Sequence, residues 1–321
     1  MAGVHRSQFT ESMKKDAYKY FWEAYPEMPP VYEELFEIVP SDAAYEQFTS
    51  AIGLGELLEK PEGEDMQTDT PIESYTIVCK NRSFGRIVRM SYETVADAQK
   101  VGNMLQTTVG TWGRQLPITK EKFYAKFFNH GALTAGRDDP FDNTITGVVT
   151  DSSGDFIYDS LPLFDTAHPD KVGNTYINYT ATRALTAANI KTTYTTFTTT
   201  NNRDERGDII DISPDTLLIP PALKFTADEI LNSTLIPGSQ DNDVNVLKSI
   251  VAPLQWHYLT DVDGWFLLKR KFGFMATDRQ DIELDFWQDE TSKDYFASVF
   301  TRWGGCITNW RGTYAANIAA S

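Results

Sequence analysis

"SPDTLLIPPALKFTADEILNS", residues 213–233, shows in one line how this chain folds. TLLI is a short β-branched and aliphatic run between a Ser-Pro-Asp turn and two prolines, the pattern of a short buried strand. Pro220 stops that strand, and Pro221 stands where a first helical turn accepts proline. ALKFTADEILNS then reads as the helix that follows. A buried strand feeding a helix at once points to a mixed α+β domain.

Outward from this stretch, the chain keeps the same mixture. VNVLKSIVAPLQWHYLT (244–260) predicts a pair of strands around Pro253. GWFLLKR (264–270), DIELDFWQ (281–288) and KDYFASVFTRW (293–303) are aromatic and β-branched, hence strands. In the last, Tyr295, Ala297, Val299 and Trp303 share one face, and Phe296, Phe300 and Arg302 the other. Both faces are partly apolar, so this strand is expected to be central or interfacial. Upstream, Thr186 caps a helix with Ile190, Tyr194 and Phe197 on one side, although KTTYTTFTTT is rich in residues that favour strand.

Residues 91–116 carry a helical stripe of Val95, Ala98, Val101, Leu105, Val109 and Trp112, with Ser91 as its N-cap. Gly102, Gly110 and Gly113 inside it suggest close packing on another backbone, or bends. Pro117 predicts a break, after which Thr119 caps a second helix ended by Gly131. Before the stripe, ESYTIVCKNRSFGRIVRMSYE reads as strand, turn, strand. An acidic loop precedes it, with Glu62, Glu64 and Asp65, while Arg82, Arg86 and Arg89 follow. Such a hairpin either pairs its opposite charges with a neighbouring molecule or presents two solvated faces. The first 45 residues or so read as an arm with little core of its own, helical around 9–25 and extended or irregular after PEMPP.

The chemistry tests are mostly negative. Of 321 residues, 29 are Lys or Arg and 45 are Asp or Glu, for a net charge of −16. That balance opposes a protein whose affinity rests on wrapping phosphates, though a local basic patch stays open. Cys79 and Cys306 match no metal spacing and no disulfide framework, and read as free thiols. No phosphate loop, zinc-binding helix or nucleophile-elbow motif occurs, and the N-terminus lacks the apolar segment of a signal peptide. No apolar run approaches the ~20 residues that cross a bilayer. Among the histidines, His130 ends a helix and His257 reads as a packed core residue. LPLFDTAHP (161–169) sets Asp165 three positions before His168. As metal ligands or an acid–base couple they lack further partners; only Asp170 is near. The structural reading is simpler: Asp165 closes an Asx-turn, Pro169 keeps His168 extended, and Phe164 anchors the turn. No paired-carboxylate spacing marks a hydrolase. No catalytic residue, cofactor or metal is assigned.

The order of elements then carries a resemblance. YTIVCKNRSFGRIVRMSYETV before the long helix, LFDTAHP at 163–169, SPDTLLIPPALKFTADEIL at 213–231 and TNWRGTYAAN at 308–317 resemble the Mu-like major head subunits. These belong to the tailed-phage major capsid proteins of the Hong Kong 97-type fold. The likeness runs from about residue 70 onward, with 137–160 as a local elaboration. It implies an N-terminal arm (1–45), an extended loop hairpin (46–90), a peripheral domain with a long spine helix (91–142) and late strands (255–321), and an axial domain (143–254). It implies a structural protein, not an enzyme, that forms hexamers and pentamers of an icosahedral head. Its partners would be copies of itself, a portal protein, a separate scaffolding protein and a decoration or cement protein. The head would be assembled in the host cytoplasm and would enclose double-stranded DNA without specific binding. Glu62, Glu64, Asp65, Arg82, Arg86 and Arg89 become the inter-subunit candidates, and the turn of Phe164, Asp165, His168 and Pro169 becomes scaffold. No lysine–asparagine cross-link is expected. The rival readings are an encapsulin-like shell and, from another class, a hydrolase with acidic catalytic residues.

Overall fold

The computed structural model describes residues 15–16, 18–25, 30–52, 57, 59–66, 68, 72–93, 101–132, 159, 161–235 and 243–318. Two five-stranded sheets and one long helix organise the chain. In the first sheet, strand β11 (Tyr295–Ile307) runs between β10 (Phe274–Gln288) and β3 (Ile72–Met90). β1 (Glu37–Pro40) and β2 (Tyr45–Ile52) form its edges. The central place expected for 293–303 is therefore found.

The second sheet has the order β6-β12-β9-β7-β8, from Tyr179–Thr180, Thr313–Ala316, Trp265–Leu268, Thr216–Ile219 and Ala252–Gln255. The division expected at residue 254 cuts across this sheet, since β9 and β12 come from beyond it. Strand periodicity explains its stability. Leu218, Phe266, Leu268 and Ala315 point into the main core, while Leu217, Ile219, Trp265, Leu267, Tyr314 and Ala316 point into a second core. Alternate side chains enter opposite faces, so a strand buried on both sides needs an unbroken apolar run. WFLL is such a run, and so is TLLI after Thr216, whose hydroxyl donates to Asp215. A small pair, β4 (His168–Pro169) with β5 (Thr175–Tyr176), completes the strands.

The long helix spans Val101–Asn129, 29 residues, with Pro117 inside it. The expected break and second helix are not there. An internal proline costs about 3 kcal/mol. Phe123, Phe127 and Phe128 are all buried beyond it, and each such side chain gains roughly 1.5–3 kcal/mol. Trp112 and Leu116 are buried before it, so contacts on both sides hold one axis. Thr119 accordingly bonds back to the Gln115 carbonyl at 2.8 Å instead of capping. Ser91 lies before the described part of the helix, and Val95 and Ala98 fall outside the described residues, as do Phe9, Met13 and most of 137–160.

The N-terminal segment is less of a free arm than its composition suggests. Tyr32–Leu35 is one helical turn, and Tyr32, Leu35 and Phe36 join the main core, ringed by Tyr124, Phe127, Phe128 and Phe274. Helical residues 18–24 lie on the long helix. A Cβ on Gly113 would sit 2.5 Å from the Phe21 carbonyl oxygen, so only glycine admits this contact. Thr186 accepts a hydrogen bond from the Asn189 N–H at 3.2 Å and caps Ala187–Thr195, which continues as one π-helical turn, Thr196–Thr200. Pro221–Leu223 is a 3-10 turn leading into the helix Lys224–Asn232. Around Pro253 there is one strand, β8, not two. His257 is exposed; its neighbour Trp256 takes the core position and donates its indole N–H to Glu121.

Candidate assembly surfaces

β3 changes partner half-way along. From Ile72 to Lys80 it pairs with β2, and from Asn81 to Met90 with β11. The β2–β3 hairpin therefore extends from the body, joined to it by strand pairing through the lower half of β3 and by the packing of Ile77 and Cys79 on Cys306. Glu62, Glu64 and Asp65 in the connection between β2 and β3 are exposed, with Met66 78% exposed and Leu57 fully so. Exposed apolar side chains among carboxylates form a surface suited to another protein.

The three arginines separate. Arg82 and Arg86 share the face of Phe84, which stacks on Trp303 at 3.8 Å. With Trp112, Leu116 and Val299, these rings and Arg86 line a groove of about 500 Å³ between the hairpin base and the long helix. Lys120 stands 5.3 Å from the Trp303 ring and pairs with Asp278 at 3.0 Å. Arg89 lies on the opposite face, where its Nε donates to Asp294 Oδ2 at 2.6 Å. That hydrogen bond, outweighing the desolvation of burial, holds the Asp294 carboxyl below its ordinary value. Arg89 is thus engaged within its own chain, by a partner 205 positions away.

The turn at 163–169 has its ring nitrogens fully used. Asp165 Oδ1 accepts from the Ala167 N–H at 3.0 Å, an Asx-turn. Phe164 is buried against Phe128 and Phe266, and its N–H donates to the Gly131 carbonyl, tying the turn to the end of the long helix. His168 is fully buried and stacks on Trp310 at 4.4 Å. Its Nδ1 meets Asp159 Oδ2 at 2.6 Å, and its Nε2 meets the Leu163 carbonyl and Asn178 Oδ1. Asn178 Oδ1 already accepts the Asp165 N–H, so it is an acceptor, and His168 Nε2 is the donor. Nothing in the sequence marks Asp159 as the partner, because it lies in the stretch that reads as an elaboration. Pro169 ends β4 opposite Thr175, and Asp170 beyond it closes a cage. Burial alone would raise its carboxyl. Hydrogen bonds from the Asn174 side chain and backbone, Tyr176 and the Gly173 N–H outweigh that and lower it. Among the described residues no cluster of three or more His, Cys, Asp or Glu could hold a metal, and no helix is long and apolar enough to cross a membrane.

Residues 75–316 match a family described as phage capsid protein. The chain belongs to the phage capsid protein family. No curated protein matches it. Solved capsids share the fold of this capsid protein at low identity. The capsid of cyanophage P-SCSP1u has 12% identity and a TM-score of 0.54, covering 91% of this chain and 89% of that one. The mature capsid of bacteriophage PhiM1 has 10% identity and a TM-score of 0.55, covering 91% and 87%. The capsid of Ralstonia phage GP4 has 10% identity and a TM-score of 0.53, covering 89% and 87%. The capsid protein has the Hong Kong 97-type fold, is structural, not enzymatic, and self-assembles into the icosahedral phage head of the virion.

Proposed function

We propose that this capsid protein is a major head subunit forming hexamers and pentamers. The observation that carries the reading is the projecting hairpin: half of β3 has a single partner strand, and its connection exposes Leu57 and Met66 beside Glu62, Glu64 and Asp65. In the assembled shell the tip meets an adjacent copy, its carboxylates toward Arg86 and Arg82. Charge complementarity of this kind fixes register more than it adds affinity. Arg89 contributes by stiffening the hairpin base through Asp294. The turn of Phe164, Asp165, His168 and Pro169 serves as scaffold.

The same reading assigns residues 1–45 to the arm, 46–90 to the hairpin, 91–142 and 255–321 to the peripheral domain, and 143–254 to the axial domain. β9 and β12 then belong to the axial sheet, although they follow residue 254. A portal protein, a separate scaffolding protein and a decoration or cement protein complete the particle. The excess of carboxylates suits a wall that encloses double-stranded DNA without gripping it. Negative-stain microscopy of the expressed chain, alone and with a co-expressed scaffolding protein, tests the proposal. Capsomers or closed shells are expected, and compact monomers under both conditions would overturn it.

A further inference from the structure

Cys79 and Cys306, 227 positions apart in sequence, are brought together by the fold at the hinge of the hairpin. The β3–β11 register ends at Asn81 opposite Gly304. Two residues beyond that last pair on each strand stand Cys79 and Cys306. Cys79 there pairs with Glu46 of the hairpin, and Cys306 with Met275 of the body. Both thiols are free and buried, in one small apolar cluster with Ile77, packed by Phe48 and Met275. Gly304 makes the approach possible: a Cβ there would lie 2.4 Å from the Lys80 carbonyl oxygen. Burial, and then a hydrogen bond with Cys79, raises the Cys306 thiol well above its ordinary value, which makes that thiol slow to react while the strands are closed.

We propose that Cys79 and Cys306 are a dithiol clasp that closes to an intrachain disulfide under oxidising conditions and locks the hairpin to the body. The two thiols share one buried cluster and a hydrogen bond, the proximity that disulfide formation requires. The oxidant is a low-molecular-weight disulfide. When the edge strand β2 opens, one cysteine thiolate attacks it, forms a mixed disulfide and releases one small thiol. The second cysteine attacks the mixed disulfide, the protein S–S bond forms, and a second small thiol leaves. Two protein thiols are oxidised by two electrons, and the two protons end on the two small thiols. A particle built inside a reducing cell and later released meets these conditions in that order.

The purified full-length chain, treated with hydroxyethyl disulfide and then denatured and alkylated with N-ethylmaleimide, tests the clasp. Non-reducing peptide mapping is expected to give one intrachain species joining the Cys79 and Cys306 peptides, two hydrogens lighter and unalkylated. The thermal midpoint is expected to rise by several degrees and to fall back with dithiothreitol. Two alkylated cysteines, two hydroxyethyl adducts or an interchain cross-link would overturn the proposal, as would a cross-link with no rise in midpoint. Cys306→Ser is expected to show no rise; the same rise in that variant would overturn it too. These readouts are internal to one chain, so they stand apart from whether shells form.

Discussion

His168 bonds Asp159 at 2.6 Å, an aspartate nine positions before it, and leaves Asp165, three positions away, to the backbone of its own turn. The imidazole is closed off by Trp310 on one face, and Arg311 lies 4.7 Å from the same indole ring. Removing one member of a buried hydrogen-bonded pair leaves the other unsatisfied, at about 1–3 kcal/mol. Asp159→Ala and His168→Leu are each expected to lose about that much in urea unfolding of the full chain. An unchanged midpoint in both would show that the pair does not hold the turn.

Gly113 faces the Phe21 carbonyl with no room for a methyl group. Gly113→Ala is expected to lift helical residues 18–24 off the long helix at a cost of about 1–3 kcal/mol. Limited proteolysis should then cut near residues 18–25 sooner than in the wild type, with the rest of the chain resistant.

Asp294 owes its lowered carboxyl first to Arg89. A group depressed in the folded state contributes stability that is fully present above the unfolded value, about 3.9, and lost as pH falls through the folded value. In Arg89→Ala the Asp294 carboxyl should titrate at higher pH than in the wild type, and acid unfolding should begin at higher pH. Side-chain carboxyl NMR across the acid range measures the first effect directly; coincident titrations would refute the coupling.

Charge reversal at the hairpin tip, Glu62→Lys with Glu64→Lys and Asp65→Lys, is expected to block shell formation and leave a soluble, folded subunit. Sedimentation separates the two species. Shells formed at wild-type yield would remove the tip from the list of contacts.

Local periodicity made much of the fold legible. TLLI and WFLL are strands because each is a short β-branched, aliphatic or aromatic run that can be buried throughout, and Thr186 caps because a hydroxyl there meets the Asn189 N–H. Pro117 misled, because its penalty is local while the burial that outweighs it comes from residues far along the chain, such as Phe36, Phe274 and Trp303. His257 misled by one position, since the parity of a short strand end decides which of two aromatic neighbours turns inward. The arm misled through its composition: Tyr32, Leu35 and Phe36 are too few to form a core, yet enough to complete one.

From the order of its residues alone, this chain determined its strand and helix types, its lack of a catalytic motif and its capsid character. The first two arise from neighbours within a few residues of one another, the last from the order of elements along the chain. The tertiary structure decided which distant groups meet: Asp159 with His168, Arg89 with Asp294, Cys79 with Cys306. Such pairs depend on strand register and on glycine-sized gaps between backbones, and chain entropy gives sequence no way to announce a partner that only a finished fold brings near.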